Sequence, residues 1–112
     1  MKQKRYDRRS ARELLPLLEA IGREIRERTE AAERLEARLA RLGASPSADP
    51  VERREIVAEI AAHRLGLRLA RHELDRLGCT VVGTEPLTIR IPGRVGEARR
   101  SFVWQTGDPV LK

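Results

Sequence analysis

The sequence predicts an α+β protein that is mainly α, with a long antiparallel helical (coiled-coil) hairpin followed by a small antiparallel β-hairpin or sheet. Apolar residues recur at alternating spacings of four and three over residues 14–42 and again over residues 56–77, which is typical of helices packed along a heptad seam. After Gly78 the period changes to alternation, which is typical of half-buried strands. We divide the 112 residues into a basic tail at 1–9, the hairpin at 10–78 and a β-element at 79–112, packed at the hairpin's open end.

The first helix is expected to begin at Ser10. A serine followed three residues later by a glutamate, here Glu13, forms a capping box that satisfies the first free amides of a helix. Pro16 lies past the first turn, so the helix either bends there or effectively restarts with Pro16 near its first position. Gly43 ends the helix.

A proline-punctuated turn at residues 43–50 leads into the second helix. Asp49 is the expected cap, with Pro50 at the first helical position and Glu52 closing a second capping box. Gly78 follows the helix. Folding the second helix back on the first matches every seam position in one register. The pairs are Leu39–Ile56, Leu35–Ile60, Ala32–His63, Arg28–Leu67, Ile25–Ala70, Ile21–Leu74 and Leu18–Leu77.

Arg28 and His63 form a polar layer inside this apolar seam, next to the small residues Ala32 and Gly66. One interpretation is a buried pocket for a ligand. The alternative, which we favour, is a layer that sets the register, with Arg28 reaching toward Glu24 or Glu59 and with His63 satisfied by a local partner.

Further apolar residues widen the stripe beyond a strict coiled-coil line. We place them beside the seam; they are Leu17, Ala58, Ala62, Leu65 and Leu69. A two-helix hairpin buries little surface, so this width favours a partner, most simply a second copy that completes a four-helix bundle. We therefore expect a homodimer.

Three segments of the C-terminal third, residues 79–82, 87–91 and 101–105, are predicted strands. Turns are expected at 83–86 and 92–96. One face of the sheet is predicted to carry Leu87, Ile89, Ile91, Phe102 and Trp104.

The net charge of +6 is concentrated at the two ends of the chain, with +4 on residues 1–9 and +2 on residues 78–112. Nucleic acid or ribosome binding is possible but not favoured. It would use the tail, Arg94, Arg99 and Arg100 in the second turn, and Arg90 on the exposed strand face. Trp104 and Phe102 could stack on a base; the alternative, which we favour, is that they form the core of the sheet.

Catalytic chemistry finds little support. The two histidines are nine residues apart on one helix and face opposite ways, and Cys79 follows a helix C-terminus, which disfavours a thiolate. We expect no metal, no cofactor and no enzymatic activity. No segment resembles a membrane span or a signal peptide, so a cytoplasmic protein is expected.

Residues 6–18, Tyr-Asp-Arg-Arg-Ser-Ala-Arg-Glu-Leu-Leu-Pro-Leu-Leu, resemble the opening of the bacterial domain of unknown function 2203 family. The second half is similar to that family at residues 77–79, 87–92, 101–104 and 107–109. The resemblance implies no established activity, and it would make Pro16 a family feature. The family usually has aspartate at Arg90, cysteine at Val103 and a longer tail, so we expect a divergent or C-terminally short member.

Taken together, the residues favour an uncharacterised, non-catalytic interaction module that oligomerises through a helical hairpin. The identity of any protein partner does not follow from the sequence.

Overall fold

The computed structural model describes residues 5–47 and 49–108. Its elements, in chain order, are α1 (Arg8–Gly43), α2 (Pro50–Arg76), β1 (Thr80–Thr84), β2 (Leu87–Val95) and β3 (Ala98–Gln105). Two helices followed by a three-stranded antiparallel sheet confirm the predicted fold class. The chain divides into two compact units: unit 1 holds residues 1–23 and 71–112, and unit 2 holds residues 24–70. Each helix contributes to both units, so we describe the units separately.

The start of α1 differs from the prediction. The helix begins at Arg8, because the carboxylate of Asp7 caps it: the Ser10 amide donates to Asp7 Oδ1 at 2.7 Å and the Ser10 hydroxyl at 2.8 Å. These hydrogen bonds hold the pKa of Asp7 below its ordinary value. Ser10 is therefore the third helical residue, and Glu13 pairs with Arg9 at 3.6 Å. The predicted Ser10 cap was wrong.

Pro16 neither ends nor restarts α1, which continues as one helix to Gly43. The start of α2 matches the prediction more closely. The Val51 amide donates to Asp49 Oδ1 at 2.9 Å, and Pro50 is the first helical residue. The Glu52 carboxylate accepts a hydrogen bond from Arg38 on α1, so it serves the helix pair rather than a second capping box.

Unit 2 is an antiparallel pair of helices packed along the expected seam. Its buried apolar residues are Ile25, Ala32, Ile56, Ile60 and Ala70. Ion pairs of 2.5 Å join Arg38 to Glu52 and Arg64 to Glu36 across the two helices. In the predicted register, Arg38 is opposite residue 57 and Glu36 is opposite residue 59. Glu52 precedes residue 57 and Arg64 follows residue 59, so the two ion pairs are offset from that register in opposite directions along α2.

Unit 1 holds the sheet, which packs on the start of α1 and the end of α2. Strand order is β1-β2-β3, and β2 pairs Ile89 with Trp104 and Ile91 with Phe102. The predicted apolar face is buried together with Leu18, Ile21 and Leu74 of the helices. A Cβ at Gly22 would lie 3.3 Å from Leu87 Cδ2, so a glycine lets α1 approach β2 closely.

The second hairpin is longer than predicted, because residues 92–95 continue β2 and the turn is Gly96–Glu97. Gly96 has a φ of 60°, a left-handed conformation that favours glycine. Pro92 is tolerated inside β2 because β1 begins at Thr80, opposite Arg90, and does not reach Pro92. The segment that does lie beside Pro92 uses its carbonyl, which accepts from the Tyr6 amide, and not the missing amide hydrogen.

The segment before α1 is bound to β2 rather than free. The Tyr6 amide donates to the Pro92 carbonyl and the Arg94 amide donates to the Tyr6 carbonyl, each at 2.9 Å. The Tyr6 hydroxyl donates to the Leu77 carbonyl at 2.9 Å. Arg5 to Asp7 therefore belong to unit 1 structurally, while positions 1–4 of the expected basic tail lie outside the described residues.

Candidate functional site

The sheet presents a basic outer face that carries three of the four expected arginines. Strand register places Arg94 directly opposite Arg99, with Arg90 opposite Val103, and all three arginines are exposed. No ion pair within 4 Å joins any of these three to an acidic residue in the described part of the chain. Like charges directly opposite each other on a sheet repel, so an anionic partner would reduce the repulsion on this face. We call Arg90, Arg94 and Arg99 the arginine face.

Arg100 is separated from the arginine face, because it pairs with Gly93 on the other side of the sheet. All of these arginines belong to strands rather than to a turn, which corrects the predicted placement of Arg94, Arg99 and Arg100. The misplaced turn explains the error: residues 92–95 were expected to lie in a loop.

Trp104 and Phe102 are each only 1% exposed. The indole Nε1–H of Trp104 donates to the Asp108 carbonyl at 2.6 Å, and the Arg8 guanidinium lies 5.2 Å from the centre of the Phe102 ring. Both rings form the core of the sheet, as the alternative interpretation held. Neither ring is available to stack on a base.

The Arg28–His63 layer lies in unit 2 and forms one side of a shallow groove. Arg28 Nε donates to Glu24 Oε1 at 3.0 Å, which is one of the two expected partners. The guanidinium of Arg28 covers Gly66, where a Cβ would overlap it. Glycine at position 66 therefore makes room for a half-exposed arginine.

His63 is the α2 member of this layer and lines the same open groove as Arg28. Its Nδ1 is buried and has no hydrogen-bond partner among the described residues, so the expectation that a local partner satisfies His63 was wrong for this atom. Glu24, Glu27 and Ala31 line the same open groove. Within the described ranges, no three histidine, cysteine or acidic side chains gather as metal ligands would.

Cys79 is buried in unit 1 with 2% of its surface exposed. Burial raises the pKa of its thiol to about 11. The side chain is therefore protonated at neutral pH and is a poor nucleophile.

A second apolar surface lies on α2, and its position was misjudged from the sequence. We define the outer face of α2 as Val51, Ala58, Ala62, Leu65 and Leu69. At about 100° per residue, these side chains lie opposite the seam rather than beside it. All are exposed, Leu65 to 49% and Leu69 to 58%. The angular arithmetic alone could have located this face.

Leu17, the remaining residue of the widened stripe, lies on α1 in unit 1 and is 44% exposed. Across the described ranges of the chain, neither helix has an apolar stretch suited to crossing a bilayer.

Comparison with known proteins identifies a family. No curated protein and no solved structure matches the chain. A family model described as "Uncharacterized conserved protein (DUF2203)" matches residues 4–112, which is nearly the whole sequence. Its matched region contains both helices and all three strands. The chain therefore belongs to the DUF2203 family of uncharacterized conserved proteins.

Proposed function

We propose that this protein is a non-catalytic interaction module that self-associates as a homodimer through the outer face of α2. The observation that carries the proposal is the second apolar surface on a helix whose other side already packs on α1. An isolated surface helix needs only one apolar stripe. Two leucines and a valine about half exposed on one line favour burial against another protein surface.

Self-association also accounts for the composition of α2. Between residues 51 and 69, the outer face of α2 carries alanine, valine and leucine at most of the positions where a helix exposed to solvent would carry charged residues. The Ala58 and Ala62 side chains are small, which lets a second helix approach closely. A contact about 27 Å long is small for a stable interface, so we expect a dimer with a Kd on the order of micromolar.

Replacing Leu65 with lysine tests this proposal. Leu65→Lys places a charge in the middle of the outer face, and we expect it to raise the dimer Kd at least about tenfold. Sedimentation equilibrium over a dilution series measures the Kd. Circular dichroism at 222 nm should be unchanged, because the side chain is already about half exposed.

Leu17→Lys is the matched control, since Leu17 is exposed to a similar extent but lies elsewhere on the chain. It makes the same chemical change and should leave the Kd within about twofold of the wild type. A wild-type chain that stays monomeric at hundreds of micromolar would overturn the proposal. So would equal effects of the two substitutions.

The arginine face favours a second candidate function, binding to a nucleic-acid backbone. Three exposed arginines with no acidic ion-pair partner among the described residues suit phosphate contacts that neutralise charge. Because Trp104 and Phe102 are buried, such binding would depend on charge rather than base stacking.

Fluorescence anisotropy with labelled RNA and DNA tests this candidate. Counterion release predicts that affinity falls at least about tenfold between about 50 mM and about 200 mM salt. Arg94→Gln/Arg99→Gln should weaken binding and flatten the salt slope. The exposed pair Arg12→Gln/Arg23→Gln, which makes the same change in charge, should do so much less. Absence of binding at low salt would remove this function.

A further inference from the structure

Charges of opposite sign line the two edges of the outer face of α2. Arg54 and Arg68 lie along one edge, and Glu55 and Glu59 lie along the other, at about 100° per residue. All four are exposed, and no ion pair within 4 Å joins them to another described residue. None has an oppositely charged residue three or four positions away on α2.

This arrangement is unusual for a solvated helix, where charges of opposite sign at spacings of three or four stabilise one another. In unit 2, Arg28 and Glu24 on α1 form such a pair. On α2 the like-charged Glu55 and Glu59 are instead four residues apart, which destabilises an isolated helix. The edges therefore lack partners within α2. Glu59 shares a groove with Arg34, Arg38 and Arg41 of α1, and Arg68 shares another with Glu36. No ion pair within 4 Å joins them among the described residues, so a helix of another copy could supply partners.

The outer face also follows a heptad line. Ala58, Ala62, Leu65 and Leu69 are spaced four, three and four, and Val51 lies one heptad before Ala58. On this line Arg54 and Arg68 take the flanking g positions and Glu59 takes a flanking e position. Glu55 lies on the line itself, next to Arg54.

The signs of the charges on the two edges favour one orientation for a helix that packs on the outer face of α2. In a parallel pair, each g position lies near the e position five residues later on the other helix, which brings Arg54 to Glu59. In an antiparallel pair, g faces g and e faces e, so Arg54 would meet Arg68 of the other helix. Among these flanking residues only the parallel arrangement matches opposite charges, and it also places Glu55 of the two copies opposite each other on the heptad line.

We infer that a second copy of this chain packs on the outer face of α2 in parallel orientation, with Arg54 of each copy paired with Glu59 of the other. The inference rests on the proposed homodimer and adds its orientation and register. Two symmetric pairs form, and Arg54 of each copy also lies beside Glu55 of the other, where it offsets the repulsion between the two Glu55 carboxylates. Since the outer face is opposite the seam, the unit 2 helices of the dimer form a row, rather than the four-helix bundle expected from the sequence.

A charge-swap series tests the orientation. Arg54→Glu replaces two attractions with two repulsions, and we expect the dimer Kd to rise about tenfold at low salt. Arg54→Glu/Glu59→Arg restores opposite charges in the parallel register and should bring the Kd back within about twofold of the wild type. About 1 M salt should remove most of the difference between the two variants.

Arg53→Glu is the matched control, because it makes the same change in net charge one residue away. Arg53 lies off the outer face, with its guanidinium 3.3 Å from where a Cβ of Gly43 would be. We expect its Kd to stay close to that of the wild type. An Arg54→Glu chain that dimerises more tightly would overturn the inference, because only an antiparallel pair gains from that change.

Oxidative cross-linking provides a second measurement that does not depend on charge. Ala58 lies on the heptad line, so a parallel pair brings position 58 of both copies together, and Ala58→Cys should form a disulfide-linked dimer. The wild type is the control, because its single cysteine is buried. Failure to cross-link in a sample shown to be dimeric would overturn the parallel register. A monomeric wild type would instead overturn the proposed function.

Discussion

Cys79 shows at the scale of one residue how burial sets chemistry. The side chain lies in the core of unit 1, and burial raises the pKa of the thiol from 9.0 to about 11. Tyr6 is shifted in the same direction, chiefly by burial, and its hydroxyl donates to the Leu77 carbonyl. Both groups are held in the protonated form by the fold.

The raised pKa of Cys79 predicts a loss of stability at alkaline pH. The unfolded chain releases the thiol proton near pH 9.0, whereas the folded chain retains it until about pH 11. The stabilising contribution is fully present below pH 9.0 and is lost as the pH rises through this window. Urea unfolding between pH 8 and pH 11 (a range of about three units) measures the change.

Cys79→Ala serves as the control for that titration, because it removes the thiol and keeps a small apolar side chain. Its free energy of unfolding should fall less than that of the wild type over the same pH range. Tyr6 remains in both chains, so the part of its pKa shift that burial causes is common to them, whereas the part caused by the charge of Cys79 is lost with the thiol and counts toward the difference. Parallel curves for the two proteins would contradict the assignment.

At the scale of elements, the β2–β3 hairpin depends on one glycine. Gly93 lies where a Cβ would overlap both the Arg100 carbonyl oxygen and the Phe102 ring. The strand backbones and a core aromatic ring approach each other there, beside the bridge between Tyr6 and β2. No side chain larger than hydrogen fits without a shift of the backbone.

Gly93→Ala is therefore expected to lower the free energy of unfolding by about 1–3 kcal/mol. Gly83→Ala is the matched control, since a Cβ at Gly83 in β1 meets its nearest neighbours at an ordinary 3.5 Å. Urea unfolding followed by Trp104 fluorescence compares the two. Equal stabilities would show that the strands relax without cost at Gly93.

The two helices differ in the number of apolar sides that they present. The apolar stripe of α1 faces α2, whereas α2 has apolar residues on two opposite sides. The seam explains one side of α2, and only a contact outside unit 2 can bury the other. This difference is the physical basis of the proposed dimer.

At the scale of the whole molecule, charge separates the two units. Unit 1 carries the entire net charge of +6, and residues 24–70 of unit 2 balance to zero. The arginine face belongs to unit 1 and the outer face of α2 to unit 2. The two proposed functions therefore rest on different surfaces, and Leu65→Lys and Arg94→Gln/Arg99→Gln can separate them.

The sequence by itself determined the features that depend on local periodicity. Alternating spacings of four and three predicted both helices, Asp49 and Pro50 marked the start of α2, and alternation predicted which strand residues are buried. Each of these depends on residues close together in the chain, because helix and strand geometry fix which side chains share a face.

The tertiary structure alone decided the features that depend on residues distant in sequence. Pro92 and Gly93 pair with Ser101 and Arg100 of β3, and Tyr6 bonds to the other edge of β2, so a strand continues where the sequence suggested a turn. That extension moves Arg94 opposite Arg99 and leaves Arg100 on the other face. Strand register depends on pairing across the sheet, and a shift of one residue reverses every side chain. Local sequence patterns do not reveal this pairing, because the pairing is made between residues that are distant in the chain and meet only in the folded protein.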